Sequence, residues 1–156
     1  PVDFPPLALP LPLQFIFRLL ASFCGVFGFS IMFNSPKRLA ATAAMIGAIA
    51  NTFRLELVDL TAFPPAAAAF LGALVAGLLA SLIKNQAGYP RISLTVPSIV
   101  IMVPGLYLYR AIYNLGIMSL TTSASWFASA FLIIIALPFG LIFARILTDR
   151  TFRYCT

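Results

Sequence analysis

The sequence contains no histidine, only four acidic residues and only two cysteines among its 156 positions. Without histidine there is no His-ligated haem, no histidine zinc site and no Ser-His-Asp or Cys-His catalysis. So few acids and thiols leave too small a ligand set for a metal centre, and no cofactor is expected. Cys24 falls in an apolar run and Cys155 in a basic tail, so the pair gives no disulfide framework. Charge is scarce too: 9% of residues are charged against about 25% in ordinary soluble domains. What is abundant is apolar surface, 62% of the chain with a mean hydropathy of +1.03. A soluble fold of this size cannot hide that much of it. The composition therefore predicts an all-helical integral membrane protein and excludes a soluble enzyme. No basic stretch interleaved with aromatics points to nucleic acid. No basic segment precedes an apolar core at the start, so a cleavable signal peptide is not expected.

Residues 1–12 hold five prolines and read as an extended lead-in at the membrane surface. A single membrane domain over 13–147 follows, with five expected spans near residues 13–33, 39–58, 66–83, 92–113 and 124–147, each close to the ~20 residues a crossing needs. The fourth is expected to be broken at Pro104-Gly105, and residues 148–156 read as a basic tail. An odd number of spans puts the termini on opposite sides. The segments at 34–38, at 84–91 and from 145 onward hold seven lysines and arginines, whereas 1–12, 59–65 and 114–123 hold none. The positive-inside rule then predicts an external N-terminus and a cytoplasmic C-terminus.

The third span carries two rows of small residues at four-residue spacing, Ala68-Gly72-Ala76-Ala80 and Ala69-Ala73-Gly77-Ser81. Such rows let helix backbones approach closely in lipid. Gly72, Ala73, Ala76 and Gly77 are the expected packing residues, on a central helix that is either a fixed interface or a sliding one.

Three arginines fall inside spans. Arg18, Arg54 and Arg110 each lie 15 or 16 positions from the inner end of their span, roughly 22–24 Å at helical rise. They form a cationic layer in the outer third of the membrane. Two readings stay open: snorkelling to headgroups or pairing with Glu56 or Asp59, and bidentate recognition of a carboxylate. Arg18 lies nearest the outer end and favours the first. Asn51 shares a helical face with Arg54 and either orients it or bonds another helix. Pro104 and Gly105 free backbone groups that need partners inside protein or a wet cavity, the arrangement from which discontinuous transporter helices build sites. Tyr107 and Tyr109 follow the break and are candidate lining residues; Tyr113 suits the interfacial belt better. The candidate substrate-binding set is thus Asn51, Arg54, Pro104, Gly105, Tyr107, Tyr109 and Arg110.

The run Gly28-Phe29-Ser30-Ile31-Met32-Phe33-Asn34-Ser35-Pro36-Lys37-Arg38 resembles the end of the first span in the smaller half of the threonine/serine exporter (ThrE-type) family. Ile101 to Ala111, with Pro104-Gly105 followed by tyrosines, is similar to that family's Pro-Gly segment. The resemblance covers nearly the whole chain. It implies one five-span half of a secondary exporter in a bacterial inner membrane, working with a larger five-span partner subunit. The implied cargo is a small hydroxy amino acid or a dicarboxylate. No phosphate-binding loop is present, so this chain is not expected to hydrolyse ATP. The competing reading is a non-transporting scaffold or assembly subunit docked through the small-residue helix.

Overall fold

The computed structural model describes residues 9–149, the side chains of 85–87 excepted. The fold is built from six helices: α1 (Leu11–Met32), α2 (Lys37–Thr61), α3 (Pro65–Ala87), α4 (Arg91–Val100), α5 (Gly105–Gly116) and α6 (Leu120–Thr148). The described residues contain no strand. Prolines start several of these helices, while Pro97 and Pro138 lie inside α4 and α6. Pro12 and Pro65 occupy first-turn positions, where the missing N–H costs nothing. The extended lead-in expected up to residue 12 therefore ends earlier, because Leu11 and Pro12 already belong to α1; residues 1–8 lie outside the described chain. Left-handed residues close several helices: Ala62 (φ 50°) after α2 and Gly88 (φ 69°) after α3.

α1, α3 and α6 are long and apolar enough to cross a membrane, and α4 and α5 qualify together as one span bent by 42°. The expected single fourth span is thus two helices. α2 has the length, at 25 residues, but is not among the helices apolar enough to qualify. Asn51, Arg54 and Glu56 are the residues that make it more polar. It is nonetheless well covered, with Ala40, Ala43, Ala44 and Ala50 fully buried.

α2 and α3 occupy the middle of the bundle. α2 packs on α1, α3 and α4, while α3 packs on α2, α4 and, most extensively, α6. Small residues make these approaches possible. One row of α3 faces α2: a Cβ on Gly72 would lie 3.1 Å from the Arg54 Cβ and 3.3 Å from the Ala50 carbonyl. The other row faces α6, where a Cβ on Gly77 would meet the Ala144 Cβ at 2.5 Å. Ala73 and Ala76 are fully buried. From the α6 side, Gly140 presses on the Phe70 carbonyl and on Ala73. Hydroxyls add ties between helices: Ser98 Oγ donates to the Ala43 carbonyl at 3.0 Å and Ser123 Oγ to the Ala111 carbonyl at 2.7 Å.

The crossing of α3 and α6 yields a direct test. A Cβ on Gly140 collides with backbone, whereas one on Gly28 meets nothing within 4 Å. Gly140→Ala is expected to destabilise the purified protein by about 1–3 kcal/mol, the usual cost of overpacking. Gly28→Ala is expected to be neutral or slightly stabilising, since alanine is the better helix former. Thermal unfolding in one detergent, with both variants side by side, reads the difference. Equal stability would mean that the α3–α6 approach is not this close.

Candidate functional site

The break between α4 and α5 is where the fold exposes backbone chemistry. Pro104 carries no N–H, and the chain turns through Ile101–Val103 before α5 resumes at Gly105. Met102 N–H bonds the Ile99 carbonyl at 2.9 Å, and Gly105 N–H bonds the Val103 carbonyl at 2.8 Å. The Met102 carbonyl is left outside the helical ladder. It accepts Arg54 Nη1 from α2 at 3.1 Å. The broken helix is therefore capped by a guanidinium from the neighbouring helix, one of the ways in which freed groups at membrane depth are satisfied. Gly72 makes room for this contact, because a Cβ there would also lie 3.2 Å from the Met102 sulfur.

Arg54 does not use all its donors on that bond. Its Nε is buried and has no hydrogen-bond partner. Beside it is a cavity of about 330 Å³ whose lining includes Arg54, Val58, Pro65, Pro104, Tyr107 and Ile133. Helices α2, α3, α5 and α6 all contribute to its wall. The first N–H groups of any helix lack intrahelical acceptors and carry the positive end of its dipole. For α5 these belong to the turn of Leu106 and Tyr107, both of which line the cavity. Two separate sources of positive potential, the guanidinium and a half-helix N-terminus, thus border one space. That combination suits an anion with planar oxygens.

The other sequence candidates fall at varying distance from this space. Pro104 and Tyr107 line it with Arg54. Gly105 starts α5, and a Cβ there would meet nothing within 4 Å. Asn51 points elsewhere: its Nδ2 donates to Ser22 Oγ on α1 at 2.8 Å. Asn51 thus makes the helix-to-helix bond, and its buried Oδ1 has no partner. Tyr109 is exposed and lies against Tyr113, with ring centroids 6.4 Å apart. Arg110 packs over Trp126 of α6, its guanidinium carbon 4.9 Å from the ring centroid. The same indole meets the Tyr107 ring edge-to-face at 5.5 Å. Arg110 therefore touches the cavity wall at one remove.

Arg18 pairs with the carboxylates of α2, with Glu56 at 3.0 Å and with Asp59. This follows the pairing alternative for that residue and takes up both acidic groups that lie near a span. The residues that sequence reasoning missed are Met102, whose carbonyl is the partner of Arg54, Ser22, which receives Asn51, and Trp126, which links Tyr107 to Arg110. Met102 lies two positions before Pro104, so the break itself was the available signal. Ser22 and Trp126 sit on other helices and left no local trace.

A protein-family model described as "Threonine/Serine exporter, ThrE" matches residues 18–147 of the chain. No curated protein and no solved structure matches it.

Proposed function

Because the chain belongs to the threonine/serine exporter family, a transporter family rather than an enzyme class, we propose that it carries a small carboxylate-bearing metabolite outward through the cavity beside Arg54. The observation that carries this reading is Arg54 in the cavity wall, its guanidinium fixed through Nη1 on the Met102 carbonyl. An arginine held this way is oriented before cargo arrives, so little rotamer freedom remains to be lost on binding. The N-terminal turn of α5 adds attraction for the same carboxylate. Tyr107 supplies a hydroxyl for the remainder of a hydroxy amino acid or a second carboxylate. Arg110 supports the wall through Trp126.

In this reading α2 is a fifth span. Neighbours lower the cost of its polar residues in lipid by taking one bond from each of three: Asn51 on Ser22, Arg54 on Met102 and Glu56 on Arg18. The chain then forms one five-span half, with its N-terminus outside and its basic C-terminus in the cytoplasm of a bacterial inner membrane. A larger five-span subunit completes the exporter. The bend at Ile101–Pro104 gives the hinge at which the site opens to either side.

Two measurements test this. The first is efflux from cells with variants matched for membrane abundance. Arg54→Gln is expected to raise half-saturation by about ten- to more than a hundredfold, the equivalent of ~1.5–3 kcal/mol for a hydrogen bond to a charged group. Arg54→Lys should also be impaired, since an ammonium cannot hold the carbonyl and present a planar second edge. Arg110→Gln should be milder. Variants at Arg54 that fall in abundance yet export normally per molecule would reduce this arginine to a helix cap. The second measurement concerns orientation. A membrane-impermeant thiol reagent should leave Cys155 unlabelled in intact cells and label it after lysis. Labelling before lysis would invert the topology.

A further inference from the structure

A second cavity lies at the opposite, basic end of the chain and takes no part in the proposed cargo site. It has a volume of about 480 Å³ and is enclosed by the end of α3, the start of α4 and the end of α6. Lys84, Arg91 and Arg145 line it, with Asp149 as the single acidic lining residue. Arg91 spends its hydrogen bonds on neutral oxygens, Nη1 on Thr148 Oγ1 at 3.1 Å and Nη2 on the Gly77 carbonyl at 3.2 Å. That anchors the guanidinium without neutralising it. Arg145 and Asp149 face each other at 3.8 Å, so three positive charges against one negative leave the cavity net cationic. α4 begins here with Pro90 as its cap and no side-chain hydrogen bond to its first turn. Its dipole adds to the positive potential.

Apart from Thr95, the rest of the lining is apolar, including Ile92, Leu141 and Ile142. Ile92 and Ile142 are also exposed on the outside of the bundle, so the cationic pocket continues onto an apolar face. Its level fits a membrane boundary. α6 has 29 residues and is about 43 Å long, the thickness of a bilayer with its headgroups. Its last turn, which holds Arg145, therefore reaches headgroup level. A ligand that satisfies both halves carries a phosphate diester and an acyl chain. A small soluble anion would leave the apolar wall unused.

We propose that this cavity binds an anionic phospholipid, its phosphate among Lys84, Arg91 and Arg145 and one acyl chain along Ile92 and Ile142. Basic pockets between membrane helices are a recurrent mode of lipid headgroup capture. The lipid would join the ends of α3, α4 and α6, which meet here without passing through the cargo cavity.

The test uses the full chain with its partner subunit in detergent micelles, titrated with phosphatidylglycerol, phosphatidylcholine or soluble glycerophosphate, and read by native mass spectrometry. Phosphatidylglycerol is expected to be retained at least tenfold better than either alternative. Lys84→Gln combined with Arg145→Gln removes two rim charges and should weaken retention by about thirtyfold, at ~1 kcal/mol per basic residue near the surface. Equal retention of phosphatidylcholine would overturn the proposal, as would glycerophosphate binding as tightly as the lipid, which would make this a soluble-anion site. Unchanged retention by the double variant would overturn it as well. The comparison of the three ligands on the unaltered protein stands even if the double variant does not fold.

Discussion

The contact between Arg54 and the Met102 carbonyl holds together the two features on which the site depends. One is a helix that cannot continue, because Pro104 has no N–H to give. The other is a partly buried guanidinium on α2, which is costly to leave without an acceptor. Each is costly alone. An unsatisfied carbonyl in hydrocarbon costs several kcal/mol, and an uncompensated arginine costs at least ~2.5 kcal/mol by insertion scales. Placed together they offset one another, and α2 becomes fixed to the bend between α4 and α5. The geometry needs a small residue beneath it, which Gly72 provides at 3.1 Å from the Arg54 Cβ.

The same economy runs along the whole of α2. Ser22 takes Asn51, Arg18 takes Glu56, and the Ala43 carbonyl takes Ser98. The polar groups of this helix are paired in part, since Asn51 Oδ1, Thr52 Oγ1 and Arg54 Nε stay buried without a partner, while its alanines let α1, α3 and α4 approach. On the other side of α3 the packing is dry and close, through Ala73, Gly77, Gly140 and Ala144. The bundle thus has a tight half, α3 with α6, and a polar half around α2. The proposed cargo cavity lies where the two meet, with Pro65 and Ile133 from one and Arg54 and Val58 from the other.

Much of this arrangement was legible in the sequence, for physical reasons specific to lipid. Hydropathy and helix length found α1, α3, α6 and the bent α4–α5 pair, because a bilayer demands ~20 apolar residues, but the expected span at 39–58 falls on α2, which is not apolar enough to qualify. The Pro104-Gly105 break was readable since a proline followed by glycine both removes a donor and loosens the backbone, whereas the single Pro97 and Pro138 are carried inside α4 and α6. The small-residue rows of α3 announced close approach, and their two faces meet α2 and α6. What could not be read was which polar group meets which. Asn51 and Arg54 share a helical face by spacing, yet Asn51 turns to α1 and Arg54 to the α4–α5 bend. A three-residue offset on a helix of 3.6 residues per turn is enough to separate them when different neighbours flank the face. Arg110 and Tyr109 follow the break closely, but helical rotation carries Arg110 onto Trp126 and Tyr109 outward. Depth along a helix is written in the sequence; azimuth against unseen neighbours is not.

The most direct test of the cargo site asks whether a carboxylate physically occupies the cavity beside Arg54. Leu106 lines that space and can carry a lone reporter thiol as Leu106→Cys, with Cys24 and Cys155 replaced by serine. The rate of thiol modification is measured in membranes that hold the protein, with and without threonine, serine or a dicarboxylate. A several-fold slowing by the transported compound, lost in Arg54→Gln, is the predicted result. Normal export of that compound with no change in the modification rate would contradict the account.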